Sequence, residues 1–198
     1  MITKLKSSNN INLFNVYDEN LKGSILLSHT EDGIITAQGN FKDNTLVFYL
    51  NREQNKQNGQ KFLESLVNTQ IFLNNRYIGQ KTFIKGTKTT PQADAIQING
   101  QSNITVYDIG IGSRFLFFYA DNHPIACAHH NGIRDYTIFA NDEWITEVVS
   151  TYIVFTIGFS NSDSFAMSYT TPDIRLLEKY DGNFISELIK DEPFEIRQ

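Results

Sequence analysis

Four residues in one short stretch carry the most reactive side chains of the sequence: His123, Cys127, His129 and His130. Imidazole and thiolate are common zinc ligands, and a cysteine beside a histidine can act as nucleophile and base. Spacing limits both chemistries. On a strand from Ile125 to His130, Cys127 and His129 share a face, His130 points to the other, and His123 falls in the preceding turn. A four-ligand zinc site therefore needs help from elsewhere in the chain. The plainer reading is a small buried cysteine between Ala126 and Ala128, with histidines on the surface.

Asp142, Glu143 and Glu147 form a second candidate cluster, because neighbouring acids raise one another's pKa and can divide acid and base roles. Acids in the first turn of a helix also complement its macrodipole without doing chemistry, and this is the stronger reading. Arg76, Lys81, Lys85 and Lys88 fall on or near one hairpin and its loop, where they could hold an anionic headgroup or an acidic protein surface. An ordinary solvated face is the plainer reading of them. Gly110, Gly112 and Ser113 lack the spacing and the terminal lysine of a phosphate loop, so a turn or bulge accounts for them. No Gly-x-Ser-x-Gly elbow, His-Glu-x-x-His or Walker motif occurs. The sequence carries no cofactor signature, and an enzyme has no positive support.

The elements that must position these residues read mainly as β-hairpins. Strands are expected at Leu13 to Asp18, Ser24 to His29, Ile34 to Gly39, Thr45 to Leu50, Gln70 to Leu73 and Tyr77 to Ile84. A pair follows around Asn99-Gly100 within Ile96 to Asp108, then Phe115 to Tyr119, Ile125 to His129 and Tyr136 to Ala140. Turn residues that tolerate positive φ separate them, Asp32-Gly33 among them. Gly79 suggests a bulge.

Between the strands, residues 51–60 are almost wholly polar and read as an exposed connection, and 85–95 as a flexible loop. Phe62, Leu63, Leu66 and Val67 recur at helical spacing. From Glu143 to Phe159 the pattern changes. Trp144, Ile145, Val148, Val149, Tyr152, Ile153, Phe155 and Phe159 surround a helix on every side, so that helix would be enclosed all round. Asp142 would be its N-cap and Gly158 its stop; a buried strand from Val148 to Ile157 is the competing assignment. Residues 161–171 read as loop, Pro172-Asp173 opens one or two short C-terminal helices, and 191–198 form a frayed acidic tail.

Composition bounds the classes. The chain has 198 residues, 40% of them hydrophobic and 13% aromatic, enough apolar surface for one domain with one core. One cysteine rules out an internal disulfide framework, which suits a reducing compartment. The N-terminus lacks the apolar run of a secretory signal, and Trp144 to Phe159 contains Glu147 and falls short of the ~20 residues of a membrane span. A cytoplasmic protein is expected. The net charge of -5 divides unevenly, with 11 Lys and Arg against 8 Asp and Glu in residues 1–99, and 6 against 14 in 100–198. Nucleic acid is a poor partner for such a chain.

A loose form recurs in which an apolar strand ends in a polar turn and the next strand opens on a small residue. It is seen at Asn15 to Ser24, Phe72 to Gly79, Phe118 to Ala126 and, less clearly, Val106 to Gly112. Followed by Tyr136 to Glu143 and the enclosed apolar segment, this resembles the tubby-like C-terminal fold, including its bacterial and LURP-one-related members. The resemblance implies a β-barrel around a central hydrophobic helix, here with short C-terminal helices added. It also implies a non-enzymatic binding or scaffold role toward a protein or a lipid headgroup, with phosphoinositides recognised by some relatives. None of those relatives' lipid-binding residues can be matched to this sequence. Two rival functions stand beside it. One is a toxin-neutralising or chaperone-like partner, suggested by the acidic second half. The other is a hydrolase or metal enzyme using Cys127 and His129.

Overall fold

A computed structural model describes residues 1–57, 68–84, 93–109, 115–121, 123–132 and 134–161. It contains twelve strands: β1 (Ile2–Ser7), β2 (Leu13–Tyr17), β3 (Leu21–His29), β4 (Ile34–Phe41), β5 (Thr45–Asn51), β6 (Thr69–Leu73), β7 (Arg76–Ile84), β8 (Ala93–Ile98), β9 (Ile104–Ile109), β10 (Phe115–Ala120), β11 (His123–Gly132) and β12 (Asp135–Ala140). Among the described residues two helices accompany them, α1 (Arg52–Gln57) and α2 (Glu143–Asn161). Each strand pairs antiparallel with its sequence neighbours, and β1 pairs with β12, so the sheet closes into a barrel with no free edge.

The hairpin turns lie where the sequence puts them. Asn74 and Asn75 both adopt positive φ, at 49° and 64°, the geometry whose twist matches that of the flanking strands. At Gly79 the register slips: Ile71 opposes Gly79 but Phe72 opposes Tyr77, leaving Ile78 as the extra residue of a bulge. A side chain at 79 would run into the carbonyl oxygen of Gln97 on β8.

Several expectations need correction. Residues 2–7, read only for the lack of a signal, form the strand that closes the barrel, with Ile2 opposite Phe139 and Leu5 opposite Tyr136. The polar connection after β5 begins with helix α1, where Asn51 Oδ1 accepts the amide of Gln54 at 2.9 Å. Residues 93–95, expected in a loop, open β8, and Ala95 pairs with Thr82. The helical spacing at 62–67, the loop at 161–171 beyond Asn161, the C-terminal helices and the tail 191–198 lie outside the described residues.

The ambiguous apolar segment is helix. Asp142 Oδ1 accepts the amide of Ile145 at 2.8 Å, which is the expected N-cap. Gly158 is not the stop, because α2 continues to Asn161. A β-carbon at 158 would strike the δ-carbon of Leu27 on β3, so a larger residue there would force that side chain to shift. Val148, Val149, Ile153, Val154 and Phe155 are buried in one cluster with alternate residues of the strands, including Leu5, Phe14, Ile35, Phe48, Ile96, Phe118 and Ile138. Phe48 stands 5.9 Å from Phe155, and Phe118 meets Tyr152 edge-on at 5.7 Å. Among the described residues no helix is long and apolar enough to cross a membrane.

Candidate functional site

The reactive cluster does not assemble. Cys127 is buried at 1% exposure, and burial pushes its thiol up to about 12, so it carries no thiolate near neutrality. His129 lies two residues further along the same face of β11. His130 occupies the other face and stacks on Tyr136, with ring centroids 4.6 Å apart. His123 is the first residue of β11 and opposes Ala120 across the hairpin. Among the described residues no three His, Cys, Asp or Glu side chains come together to hold a metal.

The acids of α2 are placed by the helix start. Asp142 caps it, and Glu143 is exposed and lies 3.9 Å from Lys22. Glu147 is buried one turn on and accepts a 2.7 Å hydrogen bond from the side-chain amide of Asn44. Desolvation raises its pKa, the Asn44 bond opposes that, and Glu143 and Asp43 push it further up. A cavity of about 20 Å³ beside it, lined by Thr3, Lys22, Phe41 and Lys42, has room for about one water. The pairing explains how a buried acid is tolerated and supplies no access for a substrate.

The basic set separates as well. Arg76 is exposed at the start of β7, but Lys81 turns to the buried face of that strand. Its ammonium sits 3.1 Å from Asp94 Oδ2, with both side chains 7% exposed. An external headgroup cannot reach it, and a buried lysine needs such a partner. The alternation Ala-Asp-Ala at 93–95 left Asp94 looking like a loop residue, so this pair was not visible in sequence. Lys85 and Lys88 lie outside the described residues.

A basic site does form between β1, which the sequence reading passed over, and β2. Lys4 and Lys6 alternate outward on β1, opposite Tyr17 and Asn15 on β2. With Ser7, Ser8 and Asn9 they line an open cleft of about 570 Å³ that ends at Asp18. Its rim is fixed by the turn, where Ser8 Oγ accepts the Asn10 amide at 3.1 Å and Asn10 Oδ1 accepts that of Asn12 at 3.0 Å. The Asn20 amide and the Lys22 ammonium, 2.9 Å away, hold the Asp18 carboxyl below the usual range, so this acid is already satisfied. Lys6 reaches Asp135 at 3.7 Å with its side chain half exposed, and Lys4 has no ion-pair partner among the described residues. Exposed apolar side chains flank the cleft: Ile2 at 60% on the same face of β1, Ile11 at 63%, and Leu21 at 61% opposite Tyr17. The signal for it was the alternation Thr3-Lys4-Leu5-Lys6, a strand pattern with lysines on one face.

These features define a closed twelve-stranded antiparallel barrel with a buried α2 and a basic, partly apolar outer cleft. No family model matches the chain, and no curated protein or solved structure matches it.

Proposed function

We propose that this chain is a non-enzymatic binding or scaffold protein of the tubby-like kind, whose barrel wraps a central hydrophobic helix and whose outer surface takes an anionic lipid headgroup. The observation that carries the reading is the cleft of β1 and β2, where Lys4, without an ion-pair partner among the described residues, and the half-exposed Lys6 lie beside Ile2, Ile11 and Leu21. Cations next to exposed apolar side chains suit a membrane surface, where anionic lipid attracts the charge and the interface takes the apolar groups. The interior supports the same view from the other side. Phe14, Phe48, Phe118 and Phe155 are at 0–1% exposure in one cluster, so recognition falls to the exterior.

Flotation with neutral phosphatidylcholine vesicles and with vesicles containing anionic lipid tests this. Each lysine near such a surface contributes about 1 kcal/mol, so the K4E/K6E variant should lose at least tenfold in binding to anionic vesicles. Binding should also weaken with salt. Absence from both kinds of vesicle removes the lipid reading, and retention of an acidic protein by the same face at low salt would replace it.

A further inference from the structure

Over β4 to β8 the outward side chains form two rows in strict register. Thr36 opposes Tyr49, Tyr49 opposes Gln70, Gln70 opposes Gln80, and Gln80 opposes Gln97. Beside this row Gln38 opposes Val47, Val47 opposes Phe72, and Phe72 opposes Tyr77. Directly opposed residues of antiparallel strands project to the same face. The residues alternating with them, Ala37, Phe48 and Ile71, belong to the core, so both rows lie on the outside. Neither row carries a charge, although 20% of the chain's residues are charged. On these strands the charged residues are Arg76, at the hairpin turn, and Lys81 and Asp94, which face inward and pair with each other. The four glutamines are exposed. The side-chain amide of Gln80 donates to Gln97 Oε1 at 3.2 Å, which leaves the Gln80 carbonyl and the Gln97 amino group for a ligand. Tyr77 is 51% exposed, and its ring meets that of Phe72 edge-on at 5.9 Å, which in turn meets Tyr49 at 6.4 Å. Such edge contacts hold the exposed ring in one orientation.

We propose that this face is a second binding site, for a neutral oligosaccharide. Carboxamides both donate and accept hydrogen bonds, as sugar hydroxyls do, and the apolar CH face of a pyranose packs on an exposed tyrosine ring. The outer face of a small barrel sheet is a place where oligosaccharides bind in other proteins. The same chemistry disfavours the other partners. A nucleic acid or an acidic protein needs cations, which both rows lack. An extended peptide that adds to a sheet needs a free edge, and the barrel is closed. An apolar partner would bury the glutamine amides without hydrogen bonds. The row from Tyr49 to Gln97 crosses four strands, about 14 Å, room for a short oligosaccharide. In the ring of strands β7 stands diametrically across from β1, so the site is separate from the lysine cleft.

Isothermal titration of the full-length protein with neutral hexasaccharides of glucose, xylose and mannose tests this, with polygalacturonate and single-stranded DNA as charged comparators. At least one neutral hexasaccharide should bind, with an affinity that does not change between low and high salt. The variants Y77A and Q80A/Q97A, whose substitutions are exposed and should leave the urea midpoint unchanged, should each weaken that binding at least tenfold. The K4E/K6E variant should leave it unchanged, so this site and the anionic-lipid reading fail separately. Absence of binding to all three neutral hexasaccharides at millimolar concentration overturns the proposal, as does undiminished binding by both folded variants. Binding confined to the charged polymers and lost in salt would assign the face to another partner and overturn it equally.

Discussion

The phenolic hydroxyl of Tyr152 on α2 donates to Asp94 Oδ2 on β8 at 2.7 Å, and Lys81 on β7 approaches the same oxygen at 3.1 Å. Three elements distant in sequence thus meet at one buried carboxylate. A charge pair taken out of water recovers its desolvation cost only when geometry is good, and loss of one partner strands the other.

Removing the Tyr152 hydroxyl as Y152F should therefore cost about 1–2 kcal/mol in urea unfolding, the range for one hydrogen bond to a charged group. Neutralising Asp94 alone as D94N should cost more, about 3–5 kcal/mol, because Lys81 is left charged and buried. The apolar double variant K81M/D94L should recover most of that loss. A double variant as unstable as the sum of its singles would show that the two charges are not coupled and would contradict this account.

Gly158 gives a prediction in which local and tertiary effects oppose each other. Alanine is better than glycine in a helix interior by about 1 kcal/mol. The β-carbon would nevertheless strike Leu27, so G158A should destabilise by about 1–3 kcal/mol through overpacking. In an L27A background the same substitution should become neutral or favourable. Thermal unfolding of the four proteins measures the reversal, and an equal cost in both backgrounds would refute the contact.

Glu147 predicts a pH dependence. Its pKa is raised in the folded state, chiefly by burial, so the folded chain holds the proton more tightly than the unfolded chain. Its contribution is then most favourable below the ordinary carboxylate pKa and is lost as pH rises through the raised value. The E147Q variant keeps an oxygen for the Asn44 amide and cannot ionise. It should match the unmodified protein in acid and exceed it in stability near neutrality, by urea unfolding at a series of pH values. A stability difference that stays constant with pH, or reverses, would contradict this account.

The hairpins were legible because their signals are local: Asn74-Asn75 and Asn99-Gly100 fix turns, and alternation such as Thr45 to Leu50 fixes the face of a strand. What failed depends on distant partners. Lys4 and Lys6 read as a charged N-terminus because nothing nearby reveals that β12 will pair with β1. Lys81 read as a surface cation since its partner lies on β8, in a stretch that resembled a loop. Gly158 read as a helix stop, whereas it is an accommodation to Leu27 far back in the sequence. The helix assignment of α2 rested on periodicity, while the β-branched residues at 148–157 argued the other way; burial of the helix residues in the strand core decides such cases over intrinsic preference.

The central physical claim is that α2 is an internal plug on which the barrel closes. Hydrogen exchange of amides 147–157 in the full-length protein addresses it most directly, since buried core helices open only with global unfolding. The account predicts that these amides are among the slowest in the chain and that Y152F and G158A accelerate them together with β4 and β10. Exchange of α2 at the rate of the exposed turns at 18–20 and 99–102, while the strands stay protected, would contradict it.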